Sequence, residues 1–291
     1  NTGIDYYTHE RYGTPSMFLG NKPTTADSGT YSTYLFEREA LAFLDENKER
    51  PFFLYLPFNA PHSASNLDPK IRGSVQAPEI YLDRYSGSTV RQRGYRAAIT
   101  YMDASIGRIL SRIQEYGLEE NTIIVFLSDN GGGLGADNSP FRGKKGQFYE
   151  GGIRVPCIIK WPGMVESGSI NNQFLSSLEI MPTLLAATNV PVPDSITLDG
   201  FNMVPVLQGE TEQGRSEIYW ELRGDQAARV GEWKWLKNRE GEYLFNLEED
   251  IKEENDLSTA QPGKLKMMRE KFVNWQKEME DAEPRGPFKN F

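Results

Sequence analysis

Thr122–Pro156 reads TIIVFLSDNGGGLGADNSPFRGKKGQFYEGGIRVP, and this stretch decides the fold class. Its first part, Thr122 to Leu127, is a β-branched and aromatic run of the kind that forms a strand buried on both faces. Ser128, Asp129 and Asn130 stand at the end of that run, followed by Gly131, Gly132 and Gly133. In an open α/β sheet, ligands bind outside the carboxyl ends of the strands. A carboxylate and an amide placed there are candidate ligands for a hard cation. The glycines allow a sharp turn and a close approach. Arg142, Gly143, Lys144, Lys145 and Gly146 then bring cations near the carboxylate, and Glu150 to Pro156 (EGGIRVP) leads into a further apolar run. Each residue taken singly also reads as solvated surface at a strand end; the combination and its order carry the information.

Working outward, Tyr34 to Asn47 places Leu35, Phe36, Ala40, Leu41, Phe43 and Leu44 at helical spacing, and Phe52 to Leu56 (FFLYL) follows as a second buried strand. Tyr95 to Tyr116 carries the cleanest amphipathic stripe, closed by Gly117 as a C-terminal cap, and feeds the strand at Thr122. This alternation predicts an α/β fold, a mostly parallel sheet sandwiched by helices. His62 falls just past the end of Phe52–Leu56, in a turn stiffened by Pro57 and Pro61, on the same kind of edge as Asp129. Cys157 to Trp161 reads as another core strand with Cys157 a small core residue, and Asn172 to Thr188 as a helix that Pro182 could kink.

The texture changes near Gly209. Ile218–Leu222, Ala227–Val230, Trp233–Lys237 and Tyr243–Leu247, separated by glycine-containing turns, predict a small antiparallel sheet. Gly263 to Glu280 closes the chain as an amphipathic helix with Leu265, Met268, Phe272, Trp275 and Met279 on one side. Two domains are therefore expected, residues 1–208 and residues 209–291. Asn1–Asp27 reads as irregular, with His9 packed or exposed among tyrosines. Ala64–Val90 reads as a polar loop, and the charged run Glu248–Asp256 as a solvated one. Trp220, Trp233 and Trp235 sit at strand spacing, which favours core packing over sugar stacking.

The 291 residues suffice for one large α/β domain and a smaller one, and 38% hydrophobic with 25% charged is the composition of a globular protein. A formal net charge of -9 argues against a nucleic-acid partner, which needs a basic face. Arg142, Lys144 and Lys145 can still set a local field for an anion. One cysteine excludes an internal disulfide, and no apolar run reaches the roughly 20 residues of a membrane span.

In this order, Ser128-Asp129-Asn130-Gly131, Gly143-Lys144-Lys145-Gly146 and Glu150–Pro156 resemble the second half of the sulfatase family, within the alkaline phosphatase superfamily. The resemblance covers nearly the whole chain. It implies a sulfuric ester hydrolase releasing sulfate from an aryl or carbohydrate sulfate ester, hence a sulfated small molecule or sugar as partner and a periplasmic or secreted location. Asp129 and Asn130 are implied as calcium ligands and Lys145 as a sulfate-binding residue. Pro57 to His62 is similar to the segment whose histidine meets the sulfate or leaving group, although Ser63-Ala64 stands where a proline commonly follows.

The family's nucleophile, a formylglycine made from a Cys/Ser-x-Pro/Ala-x-Arg motif, has no counterpart in these residues; Cys157 is followed by Ile-Ile-Lys-Trp. The first pair of acidic calcium ligands is missing as well. The expectation is a C-terminal portion of a sulfatase, with the formylglycine upstream of Asn1, inactive alone and weak in calcium binding. The alternatives are a phosphodiesterase or phosphonate hydrolase of the same superfamily and a non-catalytic binding module derived from it. Two-zinc members need several histidines, and only His9 and His62 occur here.

Overall fold

A computed structural model describes residues 3–133 and 135–282. Contacts part the chain into two units, Asn1–Thr122 with Leu134–Ala136, and Ile123–Gly133 with Asp137–Phe291.

The first unit opens with two short antiparallel ladders, β1 (Glu10–Arg11) with β2 (Thr14–Pro15) and β3 (Phe18–Leu19) with β4 (Lys22–Pro23). Three helices follow, α1 (Ser32–Asn47), the short α2 (Glu79–Leu82) and α3 (Val90–Glu115). α3 begins ahead of the predicted Tyr95 because Thr89 caps it, its hydroxyl accepting from the Gln92 N–H. It ends where Gly117 adopts a φ of +65° and donates to the Gln114 carbonyl. Between α1 and α3 the buried Glu37 takes Arg108 and the Ser105 hydroxyl. Ala97 and Ala98 leave room for a tyrosine cluster in which Tyr31 stacks on Tyr6 and meets the edge of Tyr101.

Two expectations change here. Phe52–Leu56 pairs with no strand among the described residues, and it alternates half-buried Phe52, Leu54 and Leu56 with exposed Phe53 and Tyr55. Ala64–Val90 is more than a polar loop: α2 and the 3-10 turn Asp83–Tyr85 pack Tyr81, Leu82 and Tyr85 onto the tyrosine cluster.

The second unit contains β5 (Ile124–Leu127), α4 (Glu150–Ile153), β6 (Cys157–Lys160), α5 (Ile180–Ala187) and α6 (Val204–Leu207). β7 (Glu217–Leu222), β8 (Asp225–Val230), β9 (Trp233–Asn238), β10 (Gly241–Asn246) and α7 (Pro262–Asp281) complete it. β5 and β6 pair antiparallel, with Leu127 opposite Cys157; β5 is mostly half-buried and β6 mostly exposed where the apolar runs predict full burial. Cys157 is exposed rather than a core residue. Pro182 is the third residue of α5, where its missing N–H forfeits no bond within the helix.

The predicted meander is present in the order β10-β9-β8-β7, every neighbour antiparallel. The period of two sorts its side chains onto two faces. Ala228, Trp235 and Leu244 meet Met268 and Phe272 of α7, while Ala227, Leu236 and Phe245 meet Phe148 and Tyr149. Met279, expected on the buried stripe, is exposed at the far end of α7. Trp220 and Trp235 belong to these two cores, as strand spacing predicts.

Candidate active site

The turn after β5 is built on backbone that has no room for side chains. The Gly131 N–H donates to the Gly152 carbonyl at 2.9 Å, and a Cβ at Gly131 would lie 2.0 Å from the Gly151 oxygen. Gly151 and Gly152 are as confined on their other side: a Cβ at Gly151 would lie 2.5 Å from the Arg142 oxygen, and one at Gly152 would lie 2.0 Å from the Gln147 oxygen. The Gly151-Gly152 pair is thus wedged between the Asp129–Gly131 turn and the lysine loop of residues 142–147. Asn138 adds a brace, accepting from the Gly132 N–H and donating to the Gly132 and Gly143 carbonyls. The Lys145 N–H closes the arrangement by donating to the Gly132 carbonyl at 3.1 Å.

Three of the four predicted site residues, Asp129, Asn130 and Lys145, therefore share one loop cluster in the second unit. Asp129 and Lys145 are both exposed. His62 belongs to the first unit, where its N–H donates to the Asn59 carbonyl at 2.8 Å and its carbonyl accepts the Tyr6 hydroxyl. His62 Nδ1 lies 2.8 Å from the Ser63 carbonyl oxygen. A carbonyl can only accept, so Nδ1 carries a proton, which makes Nε2 the acceptor nitrogen of the neutral ring. His9 is enclosed in the same unit, its Nε2 2.8 Å from the Thr30 carbonyl oxygen, and offers nothing to a substrate.

The donor chemistry suits a hard cation in part. Asn130 Nδ2 donates to Asp129 Oδ1 at 3.0 Å and to the Gly131 carbonyl at 3.3 Å, so among the described residues Asn130 Oδ1 and Asp129 Oδ2 keep their lone pairs free. These oxygens fit calcium as two of the six to eight ligands it takes. Among the described residues no three His, Cys, Asp or Glu side chains converge to hold a metal.

Beside the lysine loop lies a cluster that sequence reading missed. Lys234 of β9 is fully buried, 2.9 Å from Glu150 and 2.8 Å from Glu253, both also buried. Glu253 lies within the charged run expected to be solvated, and its burial corrects that expectation. Its carboxylate accepts the Glu150 N–H at 2.6 Å, and its carbonyl accepts from Arg142 at 2.8 Å. Burial, the largest influence on Glu150, pushes its carboxyl up, but Lys234, Arg229 and Arg154 outweigh it and hold the group below the usual glutamate value. At Glu253 burial prevails over Lys234 and the Glu150 N–H, and the carboxyl sits above that value.

A carboxylate and an amide stand at a strand end, and the lysine loop is tied to the same turn by the Lys145 N–H, in a chain of mixed helices and sheets. The sulfatase family profile matches residues 1–190, and that of the N-sulphoglucosamine sulphohydrolase C-terminal region matches residues 143–276; the chain belongs to the sulfatase family.

A sulfatase of Formosa agariphila is 30% identical over 244 residues, covering 74% of this chain and 43% of that protein. Human N-acetylgalactosamine-6-sulfatase is 32% identical over 222 residues, covering 72% of this chain and 39% of that protein. The crystal structure of Ps i-CgsB superposes with a TM-score of 0.81 at 29% identity, covering 94% of this chain and 64% of that one. The fold is accordingly the α/β fold of sulfatases, with the small antiparallel sheet and helix at its end. The chain spans between 31% and 54% of the length of the first curated relatives it matches. Among the described residues no helix is long and apolar enough to cross a membrane.

Proposed function

We propose that this chain carries the cation- and sulfate-binding part of an enzyme that releases sulfate from a carbohydrate or aryl sulfate ester. Asp129 and Asn130 would hold calcium, which when bound neutralises the sulfuryl oxygens. Lys145 would bind the sulfate, and His62, when protonated at Nε2, would pass that proton to the departing oxygen. The observation that carries this reading is the hydrogen bond from the Lys145 N–H to the Gly132 carbonyl, which ties the lysine to the turn bearing Asp129 and Asn130.

Two relatives favour a carbohydrate: one is named for N-acetylgalactosamine 6-sulfate chemistry, and Ps i-CgsB was solved in complex with k-i-k-neocarrahexaose. A secreted or periplasmic location suits such a substrate. The formylglycine motif occurs nowhere in the 291 residues, so the chain alone is expected to bind a sulfate ester without hydrolysing it.

Calorimetric titration with calcium tests the ligand assignment. Two protein oxygens should give a Kd of about millimolar, the weak end of protein calcium sites, and Asp129→Ala should abolish the heat. Tight one-to-one binding, or binding indifferent to Asp129, would overturn the partial site.

A further inference from the structure

The buried cluster at Lys234 grips the lysine loop from both ends. Glu253 accepts the Glu150 N–H with its carboxylate and Arg142 with its carbonyl, and Arg142 and Glu150 bracket the loop that carries Lys145. Lys234 stands two residues before Leu236 on β9, on the sheet face that meets Phe148 and Tyr149, and reaches Glu150 from there. Next to Glu150 come Gly151 and Gly152, which already touch backbone on both sides. Close-packed backbone transmits a displacement instead of absorbing it. A shift of Glu150 therefore moves the Gly152 carbonyl, which holds the Gly131 N–H, and with it the turn of Asp129 and Asn130.

We infer that Lys234 and Glu253 are positioning residues: from the four-stranded sheet and the turn after it, they fix the spacing between Lys145 and the Asp129–Asn130 pair. This rests on the functional reading of those three residues given above. Stability alone is a poor reason for the arrangement, because well-packed apolar side chains in place of a buried ion cluster are commonly as stable or more so. Here one ammonium faces two carboxylates with no exposure, which favours a single geometry over a merely sticky contact.

Glu253→Ala removes the acceptor of the Glu150 N–H, whereas Glu253→Gln keeps one. In the folded Glu253→Ala chain, exchange at the Gly131 and Lys145 amides should accelerate at least tenfold relative to amides of β9 and α7, which report global opening. Calcium titration followed at the Asn130 amide should weaken by about tenfold, the usual loss when a supporting partner of a ligand is removed, and Glu253→Gln should restore both. Should Glu253→Ala fail to fold, Arg142→Ala, which alters an exposed side chain, is expected to shift both readouts in the same direction.

A lowered Tm with wild-type exchange at Gly131 and Lys145 and wild-type calcium affinity would reduce the cluster to ordinary packing and overturn the inference. Faster exchange at those amides in a protein whose Asn130 never responds to calcium would uphold the positioning geometry and instead defeat the cation assignment.

Discussion

Gly131 has no space for a methyl group, and the consequence is measurable. Its Cβ would lie 2.0 Å from a backbone oxygen that cannot rotate away, so Gly131→Ala should destabilise the fold by about 2 kcal/mol or more, in the range of overpacking. Gly163 is a control, since a Cβ there meets nothing and only its φ of +76° is unfavourable. Gly163→Ala should cost about 1 kcal/mol in urea denaturation. Equal losses at both positions would contradict the wedge.

Titration belongs to the same scale. Asp5, Glu37 and Glu150 sit below their ordinary values despite burial, held there respectively by backbone N–H groups with Asn66, by Arg108 with Ser105, and by Lys234. A depressed carboxyl stabilises above its unfolded pKa, and that contribution is lost as pH falls through the folded pKa. The urea midpoint should therefore drop as pH is lowered below about 4. Glu253, raised by burial, works in the opposite sense: its contribution is present below the unfolded pKa and lost as pH rises through the folded one. A midpoint flat from neutrality down to about pH 3 would rule out the charge arrangement.

The loop cluster that gathers Asp129, Asn130 and Lys145 was legible in the sequence because its residues lie close together in the chain. Lys234 was not, since its partner Glu150 is 84 positions away and no local pattern links them. Its one local signal was a lysine sharing a strand face with Leu236.

At the scale of elements, the strongly periodic segments were the readable ones. α1, α3, the meander and α7 follow from the spacing of apolar residues, and their ends moved by a few residues where a cap intervened, as Thr89 does for α3. Phe52–Leu56, β5 and β6 were misjudged in burial because an apolar run records what a strand could bury and says nothing about what covers it. The sheet and α7 are held by Phe272, fully enclosed against Trp235, Tyr219 and Trp275. Phe272→Ala should cost about 3–5 kcal/mol in chemical denaturation, the usual figure for removing a core phenylalanine. A loss under about 1 kcal/mol would mean the helix is not the cover the sheet depends on.

At the scale of the whole molecule, sulfatase membership combines with the absence of the formylglycine motif from these 291 residues. On the function proposed above, Asp129, Asn130 and Lys145 bind, and no residue of this chain is assigned as the nucleophile. The most direct test is to add 4-nitrophenyl sulfate to this chain with calcium present, following the Asn130 and Lys145 amides together with the release of 4-nitrophenol. Saturable shifts at both amides, lost in Lys145→Ala, with no 4-nitrophenol released, are the predicted result. Release of 4-nitrophenol by this chain, or binding unaffected by Lys145→Ala, would contradict it.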